Sequence, residues 1–371
     1  MRAGHMRALS RRDVLRGSVL IGWSALVAAC TPSATPAPPA SAPAPTAPAA
    51  APSGLTAPTV IARPTSSGVA IRAAWVAKTA NQMVWPLAKD AGYFDKYGVD
   101  FDLNYLNGST TAIAALVAKD LEVASVAGSA IVGAQAAGQD MVMVAGFLNQ
   151  AVFRILANAD IATIDDVRGK TVAVTRVGQA DYFAWQIVIE HQKWAADDIK
   201  FVNANDVAGQ VGLLQQGQVQ AIAVSPPNDV LAGQAGAHLI LDTATLNVPE
   251  QNVGFGVPRA YLQQHRPAVM SVVKASIEAM ARWKKDAAFT KAVIRKYLQT
   301  DDPQFIDDGY EAYGPLWPQA PYPSRDGMLK VIDEVSAQNP KAKELNVDQL
   351  IETSVVKDLE DSGFVKQVYS A

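Results

Sequence analysis

The chain has 371 residues, with 32 Lys and Arg against 35 Asp and Glu, a formal net charge of −3 and one cysteine. A lone thiol excludes a disulfide framework within the chain. No basic run or basic excess marks a nucleic-acid partner, and none is expected.

The amino terminus comes first. Arg2, Arg7, Arg11, Arg12 and Arg16 precede an uncharged run from Gly17 to Ala29, which ends at Cys30. That run is shorter than the roughly 20 residues a membrane-crossing helix needs, so residues 1–29 read as a removable signal peptide. Ser10-Arg11-Arg12-Asp13-Val14-Leu15-Arg16 resembles the twin-arginine export motif, and Leu26-Val27-Ala28-Ala29-Cys30 resembles a bacterial lipobox. Cys30 would then carry the lipid that holds an exported protein on the outer, or periplasmic, face of the cell membrane. Removing five Arg and one Asp with the signal shifts the net charge to near −7. Residues 30–68 are rich in Pro, Ala, Ser and Thr and have no apolar clusters. They read as a disordered linker, stiffened by proline to about 3.1 Å per residue, with a reach on the order of 100 Å.

From residue 69 onward the pattern is that of strands alternating with helices, the mark of an α/β protein with mostly parallel sheets. Ala70–Val76 reads as a strand. Met83, Val84, Leu87, Ala88 and Ala91 recur at helical spacing before Gly92. Val99–Tyr105 alternates apolar and polar residues, as a strand with one wet face does. Asn107–Thr110 turns the chain, and Ser109 or Thr110 can cap a helix bearing Ile113 and Leu116. Glu122–Ala127 is a strand, Gly128-Ser129 a second turn and cap, Ile131–Ala137 a helix, and Met141–Phe147 an apolar strand. The series then restarts. A helical turn at Ile164–Lys170 leads to a strand at Thr171–Thr175, a loop at Val177–Asp181 and a helix at Tyr182–Lys193. Next come a strand at Ile199–Val202, a helix at Val207–Gln216 and a strand at Gln220–Val224. Ser225-Pro226-Pro227 stops that strand before a helix and a strand at His238–Asp242. Val253–Val257 can carry the chain back, and residues 258–371 are mainly helical, with helices at Pro267–Lys285 and Asp348–Asp361.

Ala91-Gly92-Tyr93-Phe94-Asp95-Lys96-Tyr97-Gly98-Val99, followed by a strand and Asn-Gly-Ser-Thr, resembles the nitrate, sulfonate and taurine class of ABC-importer binding proteins. The same fold houses the NMT1/THI5-like pyrimidine-precursor proteins, which the chain also resembles. Ala136–Asp140, Ile164–Val174 and Leu213–Ala221 extend the likeness in family order over about residues 70–260. The resemblance implies a two-lobed periplasmic-binding-protein fold of type II. Lobe I would take residues 69–153 and 250–371 and lobe II residues 154–249, with crossings near Leu148–Ile155 and Val248–Gly256. It implies a monomer that captures one small organic molecule, sulfonate-like or pyrimidine-like, and delivers it to a permease with its ATPase. A ligand sensor docking on a membrane receptor is the alternative.

Ligands of open α/β sheets bind beyond the strands' carboxyl ends, where helix N-termini offer free N–H groups. With the resemblance, this makes Lys78, Asn81, Ser109, Thr110, Ser129, Asn149, Gly178, Gln179, Asp181, Ser225 and Asn228 candidate ligand residues, and Trp75 the candidate aromatic contact. Ser109, Thr110, Ser129 and Asp181 can equally be helix caps, Gly178 a positive-φ position, and Trp75 core. No metal site, cofactor or catalytic residue is expected. His191, His238 and His265 stand apart, and no paired histidines, CxxC, phosphate loop or Gly-x-Ser-x-Gly elbow occurs. The chemistry-performing relatives, fungal pyrimidine synthases, carry a cysteine- and histidine-rich motif without counterpart here, so a THI5-like enzyme is the weakest reading.

Overall fold

The computed structural model describes residues 68–370. The expected signal peptide, Cys30 and the linker up to residue 67 lie outside the described residues. No described helix is long and apolar enough to cross a membrane.

Strand β1 (Val69–Trp75) leads through a single 3-10 turn (Ala80–Gln82) into helices α1 (Val84–Asp90) and α2 (Tyr93–Lys96). Gly92 sits between the helices with φ of 71°, a left-handed conformation costly for side chains with a Cβ, so the first helix stops there. In β2 (Val99–Tyr105) the alternation predicted from sequence buries Val99 and Phe101 and leaves Asp100 exposed. There follow α3 (Ser109–Val117), β3 (Val123–Val126), α4 (Gly128–Ala136) and β4 (Met141–Gln150).

The second series is β5 (Arg154–Ala157), β6 (Thr171–Val174), α5 (Ala180–His191), β7 (Lys200–Asn203), α6 (Val207–Gln215), β8 (Ala221–Val224), α7 (Asn228–Gln234) and β9 (His238–Asp242). Strand β10 (Pro249–Pro258) then returns to the first sheet. The helical remainder is α8 (Arg259–Lys285), α9 (Ala287–Leu298), α10 (Pro303–Tyr313), α11 (Arg325–Ser336), α12 (Val347–Leu350), α13 (Ser354–Asp361) and α14 (Phe364–Ser370).

Two five-stranded sheets result, with orders β2-β1-β3-β10-β4 and β7-β6-β8-β5-β9. In each, one strand runs against the rest: β10 is antiparallel to β3 and β4, and β5 to β8 and β9. Helices cover both faces of each sheet. On one face of the first sheet, Trp85 of α1 and Trp283 of α8 are fully buried; on the other lie Leu116 of α3, Ile131 of α4 and Met328 of α11. Trp185 of α5 fills one face of the second sheet, and Leu214 of α6 the other.

Three local outcomes differ from the sequence reading. The helix expected to start at Pro267 begins at Arg259 and kinks at His265, because Pro267 has no N–H and its ring crowds the preceding turn. The helix expected over Asp348–Asp361 is split into α12 and α13. Between them Ile351 forms a parallel bridge to Met143, and Glu352 donates its N–H to the Met143 carbonyl at 2.8 Å. Sheet pairing here wins over helical periodicity. Strand β5, four residues long, carries too few positions for any period to show.

The two segments that cross between the sheets, 151–153 and 243–248, are laced together. Fully buried Thr243 accepts the Phe153 N–H at its hydroxyl (2.8 Å), donates that hydroxyl to the Ala151 carbonyl (3.3 Å) and donates its own N–H to the Phe153 carbonyl (2.8 Å). Thr243→Val keeps the shape but orphans the Phe153 N–H. It should therefore lower unfolding stability by about 1–3 kcal/mol, read as a lower urea midpoint at unchanged m. A midpoint equal to wild type would mean the lacing contributes nothing.

Candidate functional site

Strands β1, β2 and β3 run parallel, so the turns after them share one edge of the first sheet; β6, β7 and β8 do the same for the second. Both crossings join these two edges. On the first edge the structure gathers several expected residues around β10. Asn81 donates to Asn252 Oδ1 at 3.4 Å. Ser109 Oγ accepts the Ala127 N–H at 3.2 Å, tying the turn after β2 to the turn after β3. A Cβ on Gly128 would lie 2.8 Å from Gln251, so only glycine lets α4 start this close to the crossing strand. Asn149 donates to the Tyr322 carbonyl at 2.9 Å, and its Oδ1 is buried without a partner.

Other expected residues are engaged elsewhere. Trp75, 4% exposed, is packed between Tyr105 and Tyr297 with ring centroids at 4.9 and 6.0 Å. Lys78 donates to Gln299 at 2.8 Å and lies over the Tyr105 ring. Thr110 is exposed on the first turn of α3, while Gly108 occupies the N-cap position in place of either hydroxyl residue. Ser129 is half-buried in the first turn of α4.

On the second edge, Gly178 has φ of 88° and Gln179 occupies the N-cap of α5 without a side-chain cap bond. Asp181 sits one residue inside that helix. Its carboxylate accepts the Thr175 N–H and hydroxyl (2.8 Å for the latter) and the Gln210 amide at 2.5 Å. Burial raises its pKa, against the lowering effect of the Thr175 bonds. This carboxylate braces the loop from inside. Ser225 takes the Asn228 N–H on its carbonyl at 3.0 Å, and Asn228 is buried at the start of α7.

The two edges meet across α10. A Cβ on Gly309 would lie 3.1 Å from Ala80 and 3.3 Å from Pro227, so the turns after β1 and β8 nearly touch through that glycine. On the other side, α11 rests on β10 and reaches the second sheet, where Lys330 pairs with Glu190 of α5 and Gln338 faces Gly178. A surface cavity of about 730 Å³ opens between α7 and α10, lined by Asp229, Asp308 and Glu311 among others. It touches none of the expected ligand residues. We keep the site at the strand ends, because only there do turns from both sheets converge.

Three groups escaped the sequence reading. Arg154 pairs with Asp229, with Asp308 at 2.6 Å and, at 3.8 Å, with Asp242. Burial lowers its pKa, but the bond to Asp308 and the charge and bond of Asp229 outweigh that and raise it overall. Glu250 of β10 and Glu334 of α11 are both buried. Their carboxyls are pushed well above the usual range, first by burial and, for Glu334, then by the charge of Glu250. The available signals were a lone charge in the apolar stretch Val152–Ala157 and the polar triplet Glu250-Gln251-Asn252 beside an apolar strand.

Two five-stranded α/β sheets joined by two crossings are the architecture of the two-lobed periplasmic binding proteins. Solved structures agree. The periplasmic aliphatic sulphonate binding protein SsuA from Escherichia coli superimposes with a TM-score of 0.65 at 19% identity, covering 78% of this chain and 99% of that one. The alkanesulfonate-binding protein SsuA from Xanthomonas axonopodis pv. citri, bound to MOPS, gives 0.64 at 16%, covering 77% and 99%. The periplasmic nitrate-binding protein NrtA from Synechocystis PCC 6803 gives 0.61 at 14%, covering 80% and 89%. A family model described as NMT1/THI5 like matches residues 80–286, more than half of the sequence, and the chain belongs to that family. No curated protein matches it.

Proposed function

We propose that this chain is an extracytoplasmic solute-binding lipoprotein of an ABC importer, not an enzyme. One small organic molecule is captured between a lobe made of residues 69–153 and 250–371 and a lobe made of residues 154–249. The observation that carries the reading is the pair of facing strand-end edges joined by two short crossings. In that arrangement a ligand touching both edges favours the state in which they approach, by its differential affinity for it. The binding-protein descriptions of the structural neighbours support the reading. The lone cysteine behind Val27-Ala28-Ala29 supports a membrane tether, and the arginine-rich start supports export.

Small-angle scattering on the full chain, with and without a ligand found by thermal-shift screening, tests capture. Saturating ligand should bind once per chain and reduce the radius of gyration. At 100 times its dissociation constant it should add about 2.7 kcal/mol to unfolding stability. Ser109→Ala with Ser129→Ala should weaken binding severalfold. Two-site stoichiometry with an unchanged scattering curve would defeat the mechanism. Separately, Cys30→Ser should remove fatty-acid labelling and shift the protein out of the membrane fraction; labelling equal to wild type would refute the anchor.

A further inference from the structure

We propose that the junction of β10, α11 and the turn after β1 receives the protonated amine of an organic cation, with the Glu334 and Glu250 carboxylates as its partners. This rests on the capture reading and names the ligand class for that cleft.

The unmet hydrogen-bonding groups point one way. Glu334 is 8% exposed, and neither of its carboxylate oxygens has a partner. Glu250 is 5% exposed, and its carboxylate accepts a single long bond, 3.3 Å from the Asn252 amide. Gln82 Oε1, in the turn after β1, and Asn149 Oδ1, at the end of β4, are also buried without partners. Asn81 links that turn to Asn252. All four orphaned atoms are acceptors once Glu334 is ionised, the form that a bound cation selects. An ammonium brings three donors and no acceptor and matches the ionised pair, whereas a sulfonate or nitrate brings only acceptors and is repelled by whichever carboxyl is ionised.

Helix geometry aims Glu334 at this junction. Gly327, Val331 and Glu334 follow the i, i+4, i+7 spacing of one helix face. A Cβ on Gly327 would stand 2.7 Å from the Glu250 carbonyl carbon, so that face lies directly on β10. The charged groups around Glu334 are Glu250, Lys330, Glu190 and Asp333. Lys330, the cation among them, pairs with Glu190 across the two sheets; its charge acts on both buried carboxyls from a distance and it hydrogen-bonds to neither. Burial raises Glu250 to about 7 and Glu334 to about 9, so near pH 7 Glu334 holds its proton in the unliganded protein. An arriving R–NH₃⁺ favours the carboxylate form, so the proton on one carboxyl leaves to solvent as the ion pair forms.

Titration calorimetry of the full chain with n-butylammonium chloride and with sodium butane-1-sulfonate, in two buffers of different ionisation enthalpy, tests this. The ammonium should bind once per chain near pH 7 with net proton release, and the sulfonate should give no heat. Glu334→Gln should weaken ammonium binding at least about tenfold and reduce the proton release, while the empty variant melts no lower than wild type. Full-affinity ammonium binding by Glu334→Gln, or no ammonium binding by wild type, overturns the assignment. One sulfonate per chain with a contracting scattering curve would also overturn it, while leaving the capture mechanism standing.

Discussion

Arg154→Met should cost about 3 kcal/mol of folding stability, the lower end for breaking a buried ion pair from one side, because this cluster is partly buried. One guanidinium, 18% exposed, serves three carboxylates from three elements: Asp229 of α7, Asp242 of β9 and Asp308 of α10. Asp229 Oδ1 and Asp308 Oδ2 are buried and already lack partners, so no other group can take over. Burial and the charge of Asp308 already raise the Asp229 pKa, and loss of Arg154 leaves that repulsion uncompensated. Adding Asp229→Asn and Asp308→Asn to Arg154→Met should recover most of the loss, since two uncharged amides need no counter-ion. Urea unfolding of the three proteins decides the point. A loss under about 1 kcal/mol for Arg154→Met would show that water compensates the carboxylates and the cluster is peripheral.

Arg154 shows in the sequence as a lone charge in an apolar stretch, but its partners do not, and that separates what can be read there from what cannot. Apart from β5, the strands and helices from β1 to β9 are legible because a period, an apolar run or a bounding turn marks each of them. Val99–Tyr105 alternates, and Val207–Gln215 ends at Gly217 with φ of 67°, where the chain can leave the helix cheaply. The expected ligand turns at Asn81, Ser109 and Gly128 converge on Gln251 and Asn252 for the same reason, because parallel strands put their following turns on one edge. Arg154 and Glu250 stand out locally only as polar residues beside apolar strands, and nothing in the sequence says what they pair with or that Glu334 joins them. Their partners stand at sequence separations from 75 to 154 residues for Arg154, and on α11 for Glu250, so only the folded chain makes them a group. The C-terminal helices were misjudged in the same way. Nothing in Asp348–Asp361 announces that Ile351 will pair with Met143. Trp75 and Asp181 show the converse case, in which a candidate beside a strand end also has partners within the fold that the sequence does not display.

Raising the pH from about 5 to 9 should destabilise the empty protein by an amount on the order of 3 kcal/mol, through Glu250 and Glu334. Both carboxyls are raised above 4.5, the ordinary glutamate value, by burial; for Glu334 the charge of Glu250 adds to the shift and Lys330 opposes it. The folded state therefore holds protons that the unfolded chain has already released. Their contribution is complete below the unfolded value and is lost as pH rises through the folded values. Asp181 and Asp229 are raised by burial too and slope the same way. Asp166, Asp198, Asp286 and Asp302 are lowered by hydrogen bonds, so their contributions fade only as the solution turns acid, outside this window. A difference measurement isolates the pair. Glu334→Gln keeps the side-chain shape and cannot ionise, which removes the more strongly raised of the two carboxyls, so its stability should fall less between pH 5 and 9. Near pH 9 the variant should be the more stable of the two proteins. Parallel stability curves for wild type and Glu334→Gln would mean that the two carboxyls ionise in the folded chain as readily as in water, and that α11 lifts from β10 to let solvent reach them.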